Sequence, residues 1–224
     1  MMPQTESALA PVRPLALARA RRVPKSWQSQ KRALDVAVAV GGLVLAAPVL
    51  ALAAAAIAAV SPGSPIFAQE RVGKDGRPFK LYKLRTMVDG AHLQHSALLE
   101  FNEVDGPAFK IRNDPRLHPL GRLLRRTSID ELPNLINVLR GEMSIVGPRP
   151  PLPSEVEHYD EAARRRLSVK PGVTCLWQIS GRSKLSFEEW MRLDNRYIDT
   201  WSPLGDLLIV ARTIPAVVRG EGAH

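Results

Sequence analysis

Only one cysteine, Cys175, occurs in the 224 residues. A single thiol closes no intrachain disulfide and builds no cysteine-based zinc site, which leaves it a small packing residue in a reducing compartment. No histidine lies near it in sequence to activate it as a nucleophile. The five histidines are scattered, without metal-ligand spacing. Acidic residues are also in short supply: 22 Asp and Glu stand against 31 Lys and Arg, giving a net charge of +9 and a pI near 10.2. That balance favours anionic partners, whether nucleic acid, anionic lipid headgroups or phosphorylated substrates. No internal repeat appears.

Charge is missing altogether from Val36 to Val60, where only Gly41, Gly42 and Pro48 interrupt an apolar run. As a straight helix it would be about 37 Å long, enough for a bilayer core of about 30 Å. It begins too late and runs too long for a cleaved signal peptide. Both flanks are basic, with Arg19, Arg21, Arg22, Lys25, Lys31 and Arg32 before it and Arg71, Lys74, Arg77, Lys80, Lys83 and Arg85 after it. The positive-inside tendency puts both ends on the cytoplasmic side. Pro48, at the midpoint, removes a backbone hydrogen bond and kinks or breaks a helix. Each arm of such a break would reach only about 18 Å, too short to span. Physics alone leaves two arrangements open: a re-entrant helix-break-helix, and a single-pass helix with a tolerated proline.

Residues 1–30 are rich in Pro, Ala and Arg and read as a mobile basic arm. The segments 31–62 and 63–224 then read as a membrane segment and a cytoplasmic catalytic domain. Ile66–Val72 and Phe79–Leu84 flank a Gly-Lys-Asp-Gly-Arg-Pro turn and predict a β-hairpin. Helices are predicted over 90–100, 118–126, 128–139, 154–167, 187–198 and 204–218. The second of these is basic and leucine-rich, suited to a membrane surface. The fold class is α+β: mostly helical, with a membrane helix, interfacial amphipathic helices and a small β-hairpin.

The most informative stretch is Arg125-Arg126-Thr127-Ser128-Ile129-Asp130-Glu131-Leu132-Pro133. Ser128 with Glu131 three residues later is a capping-box pattern. It would set Asp130 and Glu131 in a helix's first turn, where the positive end of the dipole keeps a carboxylate ionised. Taken alone, such acids merely cap a helix. Arg125 and Arg126 precede them, however, and Gly147-Pro148-Arg149-Pro150 follows, with prolines stiffening the chain around Arg149. A guanidinium on a rigid loop makes a good phosphate clamp. Acids, arginines and an anchor together suggest phosphate chemistry on a lipid, with Asp130 attacking phosphorus and Glu131 helping to hold Mg²⁺.

These stretches closely resemble the bacterial sugar transferases, the monotopic phosphoglycosyl transferases. The likeness covers Lys31 to His224. It is carried by Lys31-Arg32-Ala33-Leu34-Asp35, Gln69-Glu70-Arg71-Val72-Gly73, Phe79 through Met87, Thr127 through Pro133, Met143 through Pro150, and Lys170-Pro171-Gly172-Val173-Thr174. The resemblance implies transfer of a hexose 1-phosphate from a UDP-sugar to undecaprenyl phosphate, with release of UMP, at the start of exopolysaccharide or other glycoconjugate assembly. It implies a phosphosugar intermediate on Asp130, Mg²⁺ supported by Glu131, and phosphate binding by Arg125 and Arg149, with Lys83 and Arg85 as further candidates. It also implies supporting roles for Asp194 and Asp206, and a re-entrant break at Pro48, 17 residues after Lys31.

The implied setting is the cytoplasmic face of the bacterial inner membrane. The implied partners are UDP-hexose, undecaprenyl phosphate and membrane lipid, with no nucleic acid, and homo-oligomerisation is left open. Cys175 stands where many members have glycine, and Asn195-Arg196 where aromatic residues are common. The pattern from Asn102 to Arg116 resembles glucose- or galactose-phosphate transferases. The rival reading is a membrane-anchored basic module that binds nucleic acid or anionic lipid, which gives the Asp-Glu pair no role.

Overall fold

Helix α1, Lys25–Val60, carries the entire apolar run in 36 residues. A computed structural model describes residues 24–219 apart from positions 95, 104, 110, 112 and 182–184. Most of the expected basic arm therefore lies outside the described residues, and Lys25–Gln30 already belong to α1. Three positions of the 102–116 pattern also lie outside the described residues. The helical backbone continues through Pro48, where a break was one expectation. A proline costs a helix one hydrogen bond and bends it without necessarily ending it. Among the described residues this is the one helix long and apolar enough to cross a membrane. Val44, Leu45 and Leu52 point away from any protein neighbour.

The rest is mostly helical, with two small sheets. β1, Ile66–Val72, pairs antiparallel with β2, Pro78–Leu84, from Ile66 opposite Leu84 to Val72 opposite Pro78. The hairpin forms as predicted. Its connection is a short 3-10 turn that puts Asp75 and Gly76 at positive φ. The segment 90–100 is a pair of 3-10 turns, Ala91–Gln94 and Ser96–Phe101. Helix α2, Gly121–Thr127, and helix α3, Asn134–Arg140, flank the Asp-Glu pair. β3, Ser144–Val146, pairs in parallel with β4, Gly172–Thr174. The expected helix over 154–167 is broken into α4, Pro153–Glu157, α5, Glu161–Arg164, and a 3-10 turn over Arg165–Ser168. Asp160 caps α5 by accepting from the Ala163 amide, which ends one helix and starts another. α6, Phe187–Thr200, and α7, Pro203–Arg219, close the chain.

Three apolar clusters hold this together. In the first, α1 residue Ala39 packs with Leu81, Leu135, Val138, Val146 and Ile209. A Cβ on Gly42 would meet the Leu135 side chain at 2.9 Å, so glycine lets α1 approach α3 closely. The second gathers Val156, Leu167, Cys175 and the stacked pair Trp177–Trp190. The third joins Ile57, Leu84 and Leu124, with Leu50, Ala53 and Ile129 against them. α1 thus packs on the body through both its first and its second half.

Polar contacts repeat that pattern at the two ends. Lys31 donates to the Val146 carbonyl and pairs with Asp206 at 2.5 Å. Arg32 donates to the Val138 and Leu139 carbonyls at the end of α3. Buried Asp35 accepts from the Ser144 hydroxyl and the Ile145 amide, both at 2.9 Å. At the other end, Arg85 donates to the carbonyls of Pro62 and Ser61, just past the end of α1. Those carbonyls belong to the C-cap residue and the one after it, so Arg85 fastens the chain where it leaves α1.

Candidate active site

Ser128 is where the local sequence reading and the structure part. It does not cap a following helix. It sits at φ 56° as the left-handed end of α2, donating its amide to the Arg125 carbonyl. A residue in that conformation cannot offer its hydroxyl as an N-cap, which requires extended backbone. Ile129–Glu131 form a single 3-10 turn, and α3 starts only after Pro133. A capping box does form between Ser186 and Glu189, at the start of α6. The tight turn pushes Asp130 and Glu131 out between α2 and α3 while Ile129 anchors it to the third apolar cluster.

The two acids differ. Asp130 is only 6% exposed, and among the described residues no side chain donates a hydrogen bond to it. Burial pushes its pKa up to about 6, and Glu131 adds to the rise. Lys83 and Arg125 pull the other way. A helix dipole that keeps it ionised is therefore not the governing effect. Glu131 receives Lys83 at 2.7 Å. Burial would raise Glu131 too, but Lys83, Arg149 and Arg71 together outweigh it and hold its pKa below the usual value.

Glu131 lines a small solvent-open cleft together with Arg71, Lys83, Arg149, Asn134 and Gln178. Three cations and one acid make it a place for phosphate oxygens. Lys83 and Arg149 were expected in this role. Arg71 was not, although it lies in one of the stretches carrying the family likeness. Its pKa falls to about 9 through burial and the nearby charge of Arg149. Arg125 donates to Thr86 at 3.1 Å and feels the charge of Asp130. Arg85 does not line this cleft, because its donors hold the end of α1.

The loop carrying Arg149 is held from beneath. Arg71 donates to the Pro150 carbonyl at 3.0 Å, and Arg166 to the Arg149 carbonyl at 2.9 Å. Arg166 also pairs with Asp194 at 2.7 Å and donates to the Tyr159 hydroxyl. β3 and β4 meet so tightly that a Cβ on Gly172 would lie 2.1 Å from the Gly147 nitrogen, so the loop's position is set by backbone contact. Asp194 thus lies behind the arginine loop. Asp206 accepts from Lys31, Tyr197 and Trp201, away from the dyad. Neither lines the cleft.

Among the described residues, no three His, Cys, Asp or Glu side chains gather as metal ligands. Mg²⁺, however, is commonly held by one or two carboxylates plus substrate phosphates and water, and the adjacent dyad supplies that donor set.

A family profile described as bacterial sugar transferase matches residues 26–220. The galactosyl transferase CpsE of Streptococcus agalactiae serotype III is 44% identical over 194 residues, covering 86% of this chain and 43% of that one. The exopolysaccharide production protein ExoY of Sinorhizobium fredii is 40% identical over 201 residues, covering 87% and 88%. The UDP-glucose:undecaprenyl-phosphate glucose-1-phosphate transferase of Caulobacter vibrioides is 42% identical over 205 residues, covering 87% and 72%. This chain therefore spans less than half of CpsE and most of the other two.

Proposed function

Since this chain belongs to the bacterial sugar transferase family, we propose that it moves a hexose 1-phosphate from a UDP-hexose to undecaprenyl phosphate and releases UMP. The observation that carries this reading is the placement of Asp130. Among the described residues no side chain donates to its carboxylate, which is flanked by Lys83 and Arg125 and follows a residue packed on the apolar helix. Asp130, 6% exposed, does not itself line the cleft, but its neighbour Glu131 does, which sets the carboxylate next to the place proposed for the diphosphate. The binding-module reading leaves this arrangement idle.

In the first step an Asp130 oxygen attacks the β-phosphorus. The bond to the bridging oxygen breaks, and UMP leaves with that oxygen and its electron pair. In the second step an oxygen of undecaprenyl phosphate attacks the same phosphorus and the Asp130 carboxylate is released, giving undecaprenyl-diphosphate-hexose. A pKa of about 6 leaves Asp130 ionised at neutral pH, as a nucleophile must be. Arg71, Lys83 and Arg149 offset charge on the diphosphate. Mg²⁺, held through Glu131, would neutralise phosphate oxygens when bound.

α1 serves as a re-entrant anchor on the cytoplasmic face of the inner membrane. What supports this is that Lys31, Arg32 and Asp35 at one end, and the carbonyls of Ser61 and Pro62 at the other, bind the same body. A helix spanning about 30 Å of hydrocarbon would leave one end on the far side. The product would initiate exopolysaccharide or related glycoconjugate assembly, with a glucose- or galactose-type hexose.

The experiment is to trap the intermediate. Wild type incubated with UDP-hexose labelled in the β-phosphate should acquire protein-bound label, and Asp130→Asn should acquire none. Label on the Asn variant would reject Asp130 as nucleophile.

A further inference from the structure

We propose that Asn134 binds the hexose of the donor and helps to set which hexose is accepted. The inference rests on the transfer reading above and asks which residue reads the sugar. The cleft is lined by Arg71, Lys83, Arg149 and Glu131, all charged, and by two neutral hydrogen-bonding side chains, Asn134 and Gln178. Charged groups suit phosphates. A neutral polyol is better matched by an amide, which donates and accepts at once.

Asn134 is the stronger of the two. It is 3% exposed, yet it lines the cleft. Among the described residues its amide oxygen is buried without a hydrogen-bond partner. A buried polar atom left unpaired is costly, so its retention points to a ligand that completes it. A phosphate oxygen cannot, because it has no proton to give, whereas a sugar hydroxyl can. Gln178, by contrast, already accepts from the Cys175 thiol at 3.2 Å.

Position in the chain separates the sugar from the uracil. Asn134 opens α3, directly after the turn that carries Asp130 and Glu131 and the Leu132-Pro133 step. The hexose is one oxygen away from the attacked phosphorus and stays on the enzyme after UMP leaves. The uracil lies beyond the α-phosphate and the ribose. A side chain four residues from Asp130 is therefore placed for the hexose.

The test uses full-length enzyme in lipid nanodiscs, with UMP-release kinetics on UDP-glucose and UDP-galactose and with UMP as a competitive inhibitor. Losing one ligand hydrogen bond should cost Asn134→Ala about tenfold in kcat/KM for the preferred donor. It should also narrow the preference between the two epimers, while the inhibition constant for UMP stays unchanged. Asn134→Leu keeps the approximate shape and loses the acceptor, so it carries the test if the alanine variant is unstable. Unchanged kinetics in both variants would sink the inference alone. Weakened UMP inhibition would move Asn134 to the uridine. A wild type that releases UMP from no UDP-sugar would remove the transfer reading and this inference with it.

Discussion

Two parts of this molecule hold buried carboxylates in opposite ways. In the turn between α2 and α3, Asp130 has no bonded side-chain partner among the described residues. Asp194, behind the arginine loop, is paired with Arg166 at 2.7 Å, and Asp206, beside the start of α1, with Lys31 at 2.5 Å. Acidity does not separate the two regions: burial pushes Asp130 and Asp194 alike up to about 6. Partnership does. A carboxylate paired with a guanidinium or an ammonium holds elements together. One that faces cations without touching them keeps its lone pairs free, as the proposed attack on phosphorus requires.

The sharpest test of that contrast exchanges activity for stability. Asp130→Asn should lower turnover by about 10⁴-fold or more, as expected when a nucleophile is removed, with no loss of folding stability. Asp194→Ala should leave Arg166 charged and unpaired in the interior, costing about 3–5 kcal/mol. Denaturant midpoints and UMP-release rates measured on both variants would check this. If Asp130→Asn proved the more destabilised protein, the distinction would collapse.

Titration offers a second, smaller handle. The folded pKa of Asp130, about 6, lies above the unfolded value near 3.8. The folded state therefore binds the proton more tightly. That contribution to stability is full below about pH 4 and is lost as pH rises through about 6. Above pH 6 wild type should be less stable than Asp130→Asn by about 1–3 kcal/mol, and below pH 4 the gap should close. Asp194 shifts in the same direction, so the difference between the two proteins isolates Asp130. Activity should run the opposite way, falling as pH drops below about 6 and the nucleophile is protonated. A stability gap that widens on acidification would contradict the assignment.

How much of this was legible beforehand depends on how local the cause was. The hairpin was, because alternating strands and a glycine-rich turn act within a few residues; its observed strands, Ile66–Val72 and Pro78–Leu84, differ from the reading by one position. The apolar helix was equally plain. Ser128 was not, because the capping-box spacing is the same whether or not the residue before the turn is extended. The conformation was decided by α2 ending there and by Ile129 packing on Ile57, Leu84 and Leu124. Arg85 looked like any basic strand residue, and only tertiary structure sets it at the end of α1. Arg71, Arg166 and Asn134 went unread as site residues because their roles depend on segments far off in sequence.

The cleft side of the comparison is sharpened by Arg149→Lys. The substitution keeps the charge and removes the planar fork that matches a phosphate. The KM for UDP-hexose should rise about tenfold, the equivalent of about 1.4 kcal/mol, and stability should be little changed, because the loop is held through backbone carbonyls. Arg166→Lys should do the reverse, lowering stability first, since Arg166 bridges Asp194, Tyr159 and the Arg149 carbonyl.

The smallest expected effect belongs to Ser128. At φ 56° it holds a left-handed conformation that costs a non-glycine residue about 1–2 kcal/mol. Ser128→Gly relieves that strain but adds unfolded-state entropy of about 0.4–1 kcal/mol. The net change in stability should be a gain of no more than about 1 kcal/mol. Kinetics are the more telling measure. If the strained corner holds the dyad turn in register over the apolar cluster, the glycine variant should lose a few-fold in kcat at nearly unchanged KM, despite being no less stable. Full activity in Ser128→Gly would show that Ile129 packing alone aims Asp130, and that the left-handed serine is only the way α2 ends.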